Sequence, residues 1–310
     1  MPQNVSRSSI LDLAFSLAVA AIIVAAIFYL HYDDPVCYVR LISEDSYGEY
    51  ATSAGFAFAG ILLVTLAFRD GPGLRRWVWA FMGAAALVIA AEEISWGQRI
   101  FGIAPPDAFI EANTQKEMNL HNLGAVWEVN KRLHQIAAYL ILGWLVLSVV
   151  LSLAAPALKQ RLLDSGVPLI PLGLVPLFLL PPLFVLNWTI VKSDEIAELT
   201  LALAAVAWAA RLFVREVGIG PPASWRGAGA MAGAFLLVVT ASTLLTHQFP
   251  GALGWRLNMT AARDYPRLGM YDQAEALFDY ILAQPEHIRP DTRSNYEEVL
   301  RLAALEERRK

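Results

Sequence analysis

The sequence predicts an all-α protein: a bundle of about seven transmembrane helices followed by a small soluble helical segment at the C-terminal end. Three observations lead to this prediction. The 310 residues are 56% hydrophobic and only 17% charged, whereas soluble domains are about 25% charged. The mean hydropathy is +0.47, and apolar runs long enough to cross a bilayer recur along the chain. The net charge of -4, with no basic face, gives no indication of a nucleic-acid partner.

The apolar runs are separated by loops of alternating charge, which predict an orientation. The expected spans are about 9–31, 50–68, 77–96, 133–154, 167–190, 197–214 and 229–249. Lys and Arg collect at the N-terminus and at 69–76, 159–161 and 211–226, while the other connections are acidic. An excess of Lys and Arg marks the cytoplasmic side. We therefore expect a bacterial inner-membrane protein with its N-terminus inside and its acidic loops and C-terminal tail in the periplasm.

The chain divides into two expected domains. Residues 1–250 form the transmembrane bundle, with outer polar loops at 32–49, 97–132 and 191–196, and residues 251–310 form a soluble tail. The first apolar run is longer than the core of a signal peptide and precedes no small-residue cleavage site, so we expect a retained helix. Cys37 is the single cysteine, and it cannot close an intramolecular disulfide.

Two adjacent glutamates, Glu92 and Glu93, lie in the last turns of the third expected span. Burying a carboxylate at a membrane boundary costs several kcal/mol unless the group is paired, liganded or functional. Neighbouring helical positions point about 100° apart, so at most one of the two faces the bundle centre. We expect at least one to be catalytic. The alternative is an amphipathic helix end whose carboxylates reach water and pair with Arg99.

A carboxylate and an imidazole, Glu117 and His121, follow in the long polar loop. Together with Asn113 they are spaced by four residues, which on a helix places all three on one face. Glu117 and His121 could hold one divalent metal ion or act as general base and acid; the alternative is a loop helix that Glu117 caps or pairs. Polar neighbours are expected to bind a substrate headgroup: Gln98, Arg99, Asn113, Asn119 and Asn122.

Further polar residues stand at the ends of the fourth and sixth expected spans. His134 follows two basic residues and is either an interfacial histidine or a member of the site. Asp194, Glu195 and Glu198 begin the sixth span, where the helix dipole favours acidic residues in any case. A second set of ligands from these positions remains open.

The run EEISWGQR at 92–99, with NLHN at 119–122, resembles a signature of bacterial polytopic membrane proteins over about residues 44–125. The resemblance implies a membrane protein and brings no activity with it. The CAAX-protease and bacteriocin-processing family begins its first motif with E-E-x-x-x-R, but here Gly97 stands in the place of that arginine. The other motifs of that family also fail to match, so its mechanism is not implied.

The tail resembles the second helix of a single tetratricopeptide repeat. The residues that carry this resemblance are Gly269, Tyr271, Ala274, Phe278 and Pro285. One repeat cannot bury its own apolar face. We therefore expect the tail to pack on the outer loops or on a partner protein.

These features favour an enzyme, a membrane-embedded hydrolase or transferase that acts on a lipid or lipid-linked substrate, since the site region has no nucleotide motif or reactive thiol. Its cofactor, if any, would be a divalent metal ion. The alternative is a scaffold or assembly factor that docks a partner through its C-terminal helices. A transporter ranks third, because the middle residues of the expected spans are apolar or at most Ser and Thr.

Overall fold

The computed structural model of the protein is all-helical over the residues that it describes: 7–43, 46–113, 117–120, 123, 127–186, 189–218, 226–249 and 253–308. Its one β-type contact in these ranges is an isolated antiparallel bridge between Asn113 and Leu123. The helices are α1 (Arg7–Asp33), α2 (Pro35–Ile42), α3 (Tyr47–Arg69), α4 (Leu74–Glu93), α5 (Gln98–Phe101), α6 (Asp107–Ala112), α7 (Trp127–Ala154), α8 (Pro156–Asp164), α9 (Val175–Val185), α10 (Ser193–Val217), α11 (Arg226–Gln248), α12 (Leu253–Met259), α13 (Tyr265–Arg267), α14 (Tyr271–Leu282) and α15 (Thr292–Glu307). The predicted all-α class is confirmed.

Six helical segments in the described part of the chain are long and apolar enough to cross a membrane. They are α1, α2 continued into α3, α4, α7, α10 and α11. The fifth expected span instead contains a shorter apolar helix, Leu172–Val185, about 21 Å long at about 1.5 Å per residue. Its interior holds Pro181 and Pro182, which lack the N–H groups that a regular helix needs.

The helix α3 lies at the centre of the bundle and packs against α4, α10 and α11. Glycines permit its close approach to α4: a Cβ on Gly60 would lie 2.9 Å from the carbonyl oxygen of Gly83. A Cβ on Gly83 would in turn lie 3.0 Å from the carbonyl oxygen of Gly60. Small residues let helix backbones pack closely where a hydrophobic driving force is weak, as in a bilayer.

A buried ion pair joins α1 to α10. Arg211 Nε lies 2.5 Å from Asp12 Oδ2, and the Asp12 side chain is only 2% exposed. Asp12 Oδ1 has no hydrogen-bond partner among the described residues. A Cβ on Gly227 of α11 would lie 2.1 Å from this oxygen, so three helices meet around one carboxylate.

The tail helices pack on the ends of α1 and α2. Phe278 of α14 is fully buried, and α14 contacts α2, α12 and α15. The Tyr265 hydroxyl donates to the backbone carbonyl of His31 at 3.2 Å, and burial raises the pKa of this phenol above its usual value. A π-helical turn, Thr260–Asp264, precedes Pro266. A wider turn accommodates the missing N–H of proline.

Candidate functional site at the polar end of the bundle

The helix α4 ends in a turn of unusual backbone conformation. Ser95, Trp96 and Gly97 have φ angles of 48°, 56° and 74°. Left-handed conformations cost about 1–3 kcal/mol for residues other than glycine. Two such residues in succession need strong contacts to hold them, and the loop that follows supplies these contacts.

Glu117 is the centre of a buried hydrogen-bond network in this loop. Its side chain, 6% exposed, forms an ion pair with Arg99. The other carboxylate oxygen, Oε2, accepts hydrogen bonds from Ser95 Oγ at 2.8 Å and Asn119 Nδ2 at 3.0 Å. Asn119 is held in turn by Asn113, whose Nδ2 donates to the Asn119 Oδ1 at 2.9 Å. These polar side chains therefore satisfy one another and tie the loop to the turn at Ser95.

Glu92 and Gln98 also form hydrogen bonds that hold this loop. The two oxygens of Glu92 accept from Trp96 Nε1 at 2.6 Å and from the backbone N–H of Leu120 at 2.7 Å. Gln98 Oε1 accepts from the backbone N–H of Met118 at 2.8 Å. We call the described residues 95–113 and 117–120, with these contacts, the locked loop.

The expected helical face through Asn113, Glu117 and His121 is wrong in its geometry. The helix α6 ends at Ala112, Asn113 is extended, and residues 117–120 are not helical. Glu117 and Asn119 meet through loop contacts rather than helical spacing. His121 and Asn122 lie outside the described residues, so the predicted Glu117–His121 metal pair stays a prediction. The alternative pairing of Arg99 with Glu92 is also replaced, since Arg99 pairs with Glu117.

Carboxylates from three helices gather at the same end of the bundle. Glu49 of α3 interacts electrostatically with Glu93, Glu117, Glu195 and Glu198. Glu93 interacts with Glu195 and Glu198 of α10 as well. We call Glu49, Glu93, Glu195 and Glu198 the acidic cluster; all four side chains are half-buried. Neighbouring like charges repel one another, so a hydrogen-bonding partner helps to accommodate such a group.

His134 of α7 is such a partner for Glu198. Its Nε2 lies 2.8 Å from Glu198 Oε1, and both side chains are about one-third exposed, at 31% and 32%. Asp194, in contrast, is exposed. An imidazole held by a carboxylate in a partly open site can take up and release protons near neutral pH.

Sequence reasoning underrated two members of this site. Glu49 was expected in an outer loop, but α3 begins at Tyr47 and places Glu49 in its first helical turn. Ser95 was not among the expected site residues, although it is buried and donates a hydrogen bond to Glu117. The signal for Glu49 was its position one residue before an apolar run.

Among the described residues, no three His, Cys, Asp or Glu side chains come together in an arrangement that could hold a metal ion. The acidic cluster is therefore an electrostatic grouping and not a formed coordination shell. No family model, curated protein or solved structure matches the chain.

Proposed function

We propose that the protein is an integral membrane enzyme, a hydrolase or transferase that acts on a lipid or lipid-linked substrate at the polar end of the bundle. The observation that carries the proposal is the pair of His134 and Glu198 at 2.8 Å, set beside the other carboxylates of the acidic cluster. A histidine oriented by a carboxylate is the usual general base of hydrolytic and transfer reactions.

The residues divide into reacting and positioning groups. His134 takes the proton from an attacking water or hydroxyl, and Glu198 orients the imidazole and stabilises its charged form. Glu93 or Glu195 returns a proton to the leaving group. Glu92 and Glu117 are positioning residues, because their carboxylate oxygens accept hydrogen bonds that hold the locked loop. Arg99 is 38% exposed and pairs with Glu117, so it holds the loop from the solvent side of this carboxylate.

Seven crossings of the membrane are part of the proposal. His134 lies near the start of α7 and Glu198 near the start of α10, and their contact indicates that the two helices start at the same end. The chain between them must therefore return across the bundle. The short helix Leu172–Val185 lies in that return segment. With basic loops inside, the polar end and the tail face the periplasm.

The test is catalytic and uses the full chain in lipid nanodiscs. A panel of phospholipids, glycolipids and polyprenyl-linked sugars is incubated with the protein, and products are measured by mass spectrometry. His134→Ala and Glu198→Gln should each lower the rate by about 100-fold or more, the usual contribution of a general base. Glu111→Gln is the matched control, since Glu111 is an exposed carboxylate of α6. Full activity in both site variants would refute the assignment.

A scaffold function is the second candidate, and a different observation favours it. The side chains of the locked loop are engaged with one another, as expected of a structural element. In that case a partner would bind the tail, where Leu300 and Leu305 of α15 are exposed. The double variant Leu300→Glu/Leu305→Glu should then abolish co-purification of the partner, and His134→Ala should not. Unchanged function of the Leu300/Leu305 double variant in cells would count against the scaffold.

A further inference from the structure

An apolar groove lies between the end of α4 and the locked loop. Its volume is about 320 Å³, near the lower end of the range for small-molecule sites, about 300–1,000 Å³. The groove is lined by Trp96, Pro106, Phe109, Met118 and Leu120, together with Glu92. Apart from the glutamate, every lining side chain is apolar or aromatic.

The surroundings of the groove are also apolar and exposed. Leu120 is 57% exposed and Phe101 is 73% exposed. Trp96, Ile103 and Ile110 are also exposed. Exposed apolar surface of this kind marks a site of contact with another molecule or with a membrane. The helix α4 is a candidate membrane span, and its exposed residues Val88 and Ile89 precede Glu92 by four and three positions. They therefore share the helical face of the glutamate that lines the groove.

The one acidic group in the groove is already engaged. Both oxygens of Glu92 accept hydrogen bonds from Trp96 and Leu120, so the carboxylate faces the loop that it fastens. A polar ligand would find little to bind in such a lining, whereas a hydrocarbon chain would bury apolar area against it.

The two glutamates at the end of α4 connect the groove with the proposed site. Glu92 lines the groove, and its neighbour Glu93 interacts with the carboxylates of α10. A lipid chain bound in the groove would therefore lie beside the helix end that carries Glu93.

We propose that the groove binds the hydrocarbon chain of a membrane lipid and thereby selects a lipid as the substrate of the site. The part of this inference that makes the bound lipid a substrate rests on the proposed function. Binding of the chain itself depends only on the locked loop and can be measured separately.

The experiment uses the full chain in nanodiscs of phosphatidylethanolamine and phosphatidylglycerol. A trace of phosphatidylethanolamine that carries a diazirine near the end of one acyl chain is added and irradiated. Labelled peptides are then mapped by mass spectrometry. We expect labelling at the groove residues Phe109 and Met118 at least five-fold above that at Leu236, an exposed residue of α11. Excess unlabelled lipid should compete for this labelling and not for the labelling of α11.

Two variants test occupancy. Met118→Trp fills the groove and should lower its labelling at least five-fold, and Leu236→Trp, which adds the same ring on α11, should leave it unchanged. Because Met118→Trp could disturb the loop, Leu120→Phe provides a second filling change at a more exposed position. It should lower labelling in the same direction. The melting temperature of each variant is measured to exclude unfolding.

The outcomes separate the two proposals. Uniform labelling over the lipid-facing helices, or groove labelling that survives both filling variants, would overturn the groove. Cross-linked dimers through Phe109 or Met118 would overturn it too, since the occupant would then be a second copy of the chain. Glu198→Gln should leave labelling intact while it abolishes activity. If the Glu198→Gln variant keeps its activity and the groove residues are still labelled, the catalytic proposal fails and the lipid site stands.

Discussion

Replacement of Glu117 by alanine would remove the acceptor at the centre of the locked loop. The side chain receives contacts from Ser95, Arg99 and Asn119, and a hydrogen bond to a charged group is worth about 1.5–3 kcal/mol. Because the three contacts share one carboxylate and the loop can relax, we expect a loss of about 3–4 kcal/mol rather than their sum. The left-handed residue Ser95, whose strain is about 1–3 kcal/mol, then loses a contact that offsets it.

This loss should appear as local opening and not as global unfolding. Hydrogen–deuterium exchange of peptides from 95–113 should accelerate by about 100- to 1,000-fold, since about 1.4 kcal/mol corresponds to a factor of ten. Peptides from α3 and α10 should be unaffected. Glu111→Ala is the matched control, because Glu111 is exposed on the neighbouring α6. If Glu117→Ala leaves loop exchange unchanged, Glu117 does not hold the loop, and a direct role in catalysis becomes the better explanation of its burial.

Three further changes probe the scaffold around the site. Asp12→Ala leaves Arg211 without its partner and should lower the free energy of unfolding by about 3–5 kcal/mol, measured by chemical denaturation in detergent. The double variant Asp12→Ala/Arg211→Met should recover a large part of this stability. No recovery would mean that the two residues are not coupled. Gly227→Ala puts a methyl group 2.1 Å from Asp12 Oδ1 and should destabilise the protein by about 1–3 kcal/mol. In the control Gly233→Ala, on the same helix, the added methyl group meets open space and stability should not change. Equal melting temperatures of the two variants would refute this packing. Phe278→Ala should destabilise the tail by about 3–5 kcal/mol. Limited proteolysis should then cleave the tail while the bundle stays intact. Unchanged cleavage would mean that the tail does not depend on the packing of Phe278.

The sequence was sufficient for the fold class because helix length and composition decide whether a segment can cross a bilayer. Six of the seven expected spans correspond to long helices. The fifth does not, because its prolines shorten the regular helix. Hydropathy measures how apolar the segment is and does not detect this shortening.

The candidate site was only partly predictable, because its contacts are made by loops and helix ends distant in the sequence. Four-residue spacing suggested that Glu117 works through a helical face, but its partners Ser95 and Arg99 come from the preceding turn. Likewise, nothing local to His134 indicates that it meets Glu198, which lies three helices further along the chain. Spacing is informative only within one helix. The left-handed turn at Ser95 and Trp96 also has no local signal, since such strain is maintained by distant contacts.

The adjacent glutamates at the end of α4 connect this helix end with both the locked loop and the acidic cluster. Neighbouring helical positions point about 100° apart, and the two glutamates have different partners. Glu93 interacts with the carboxylates of α10, while Glu92 accepts hydrogen bonds from Trp96 and Leu120. A single change therefore separates the two roles. Glu92→Gln should loosen the locked loop and weaken lipid labelling of the groove, whereas Glu93→Gln should affect turnover with the groove still labelled. If both variants lose both properties equally, the loop and the acidic cluster act as one unit, and the division between groove and site is wrong.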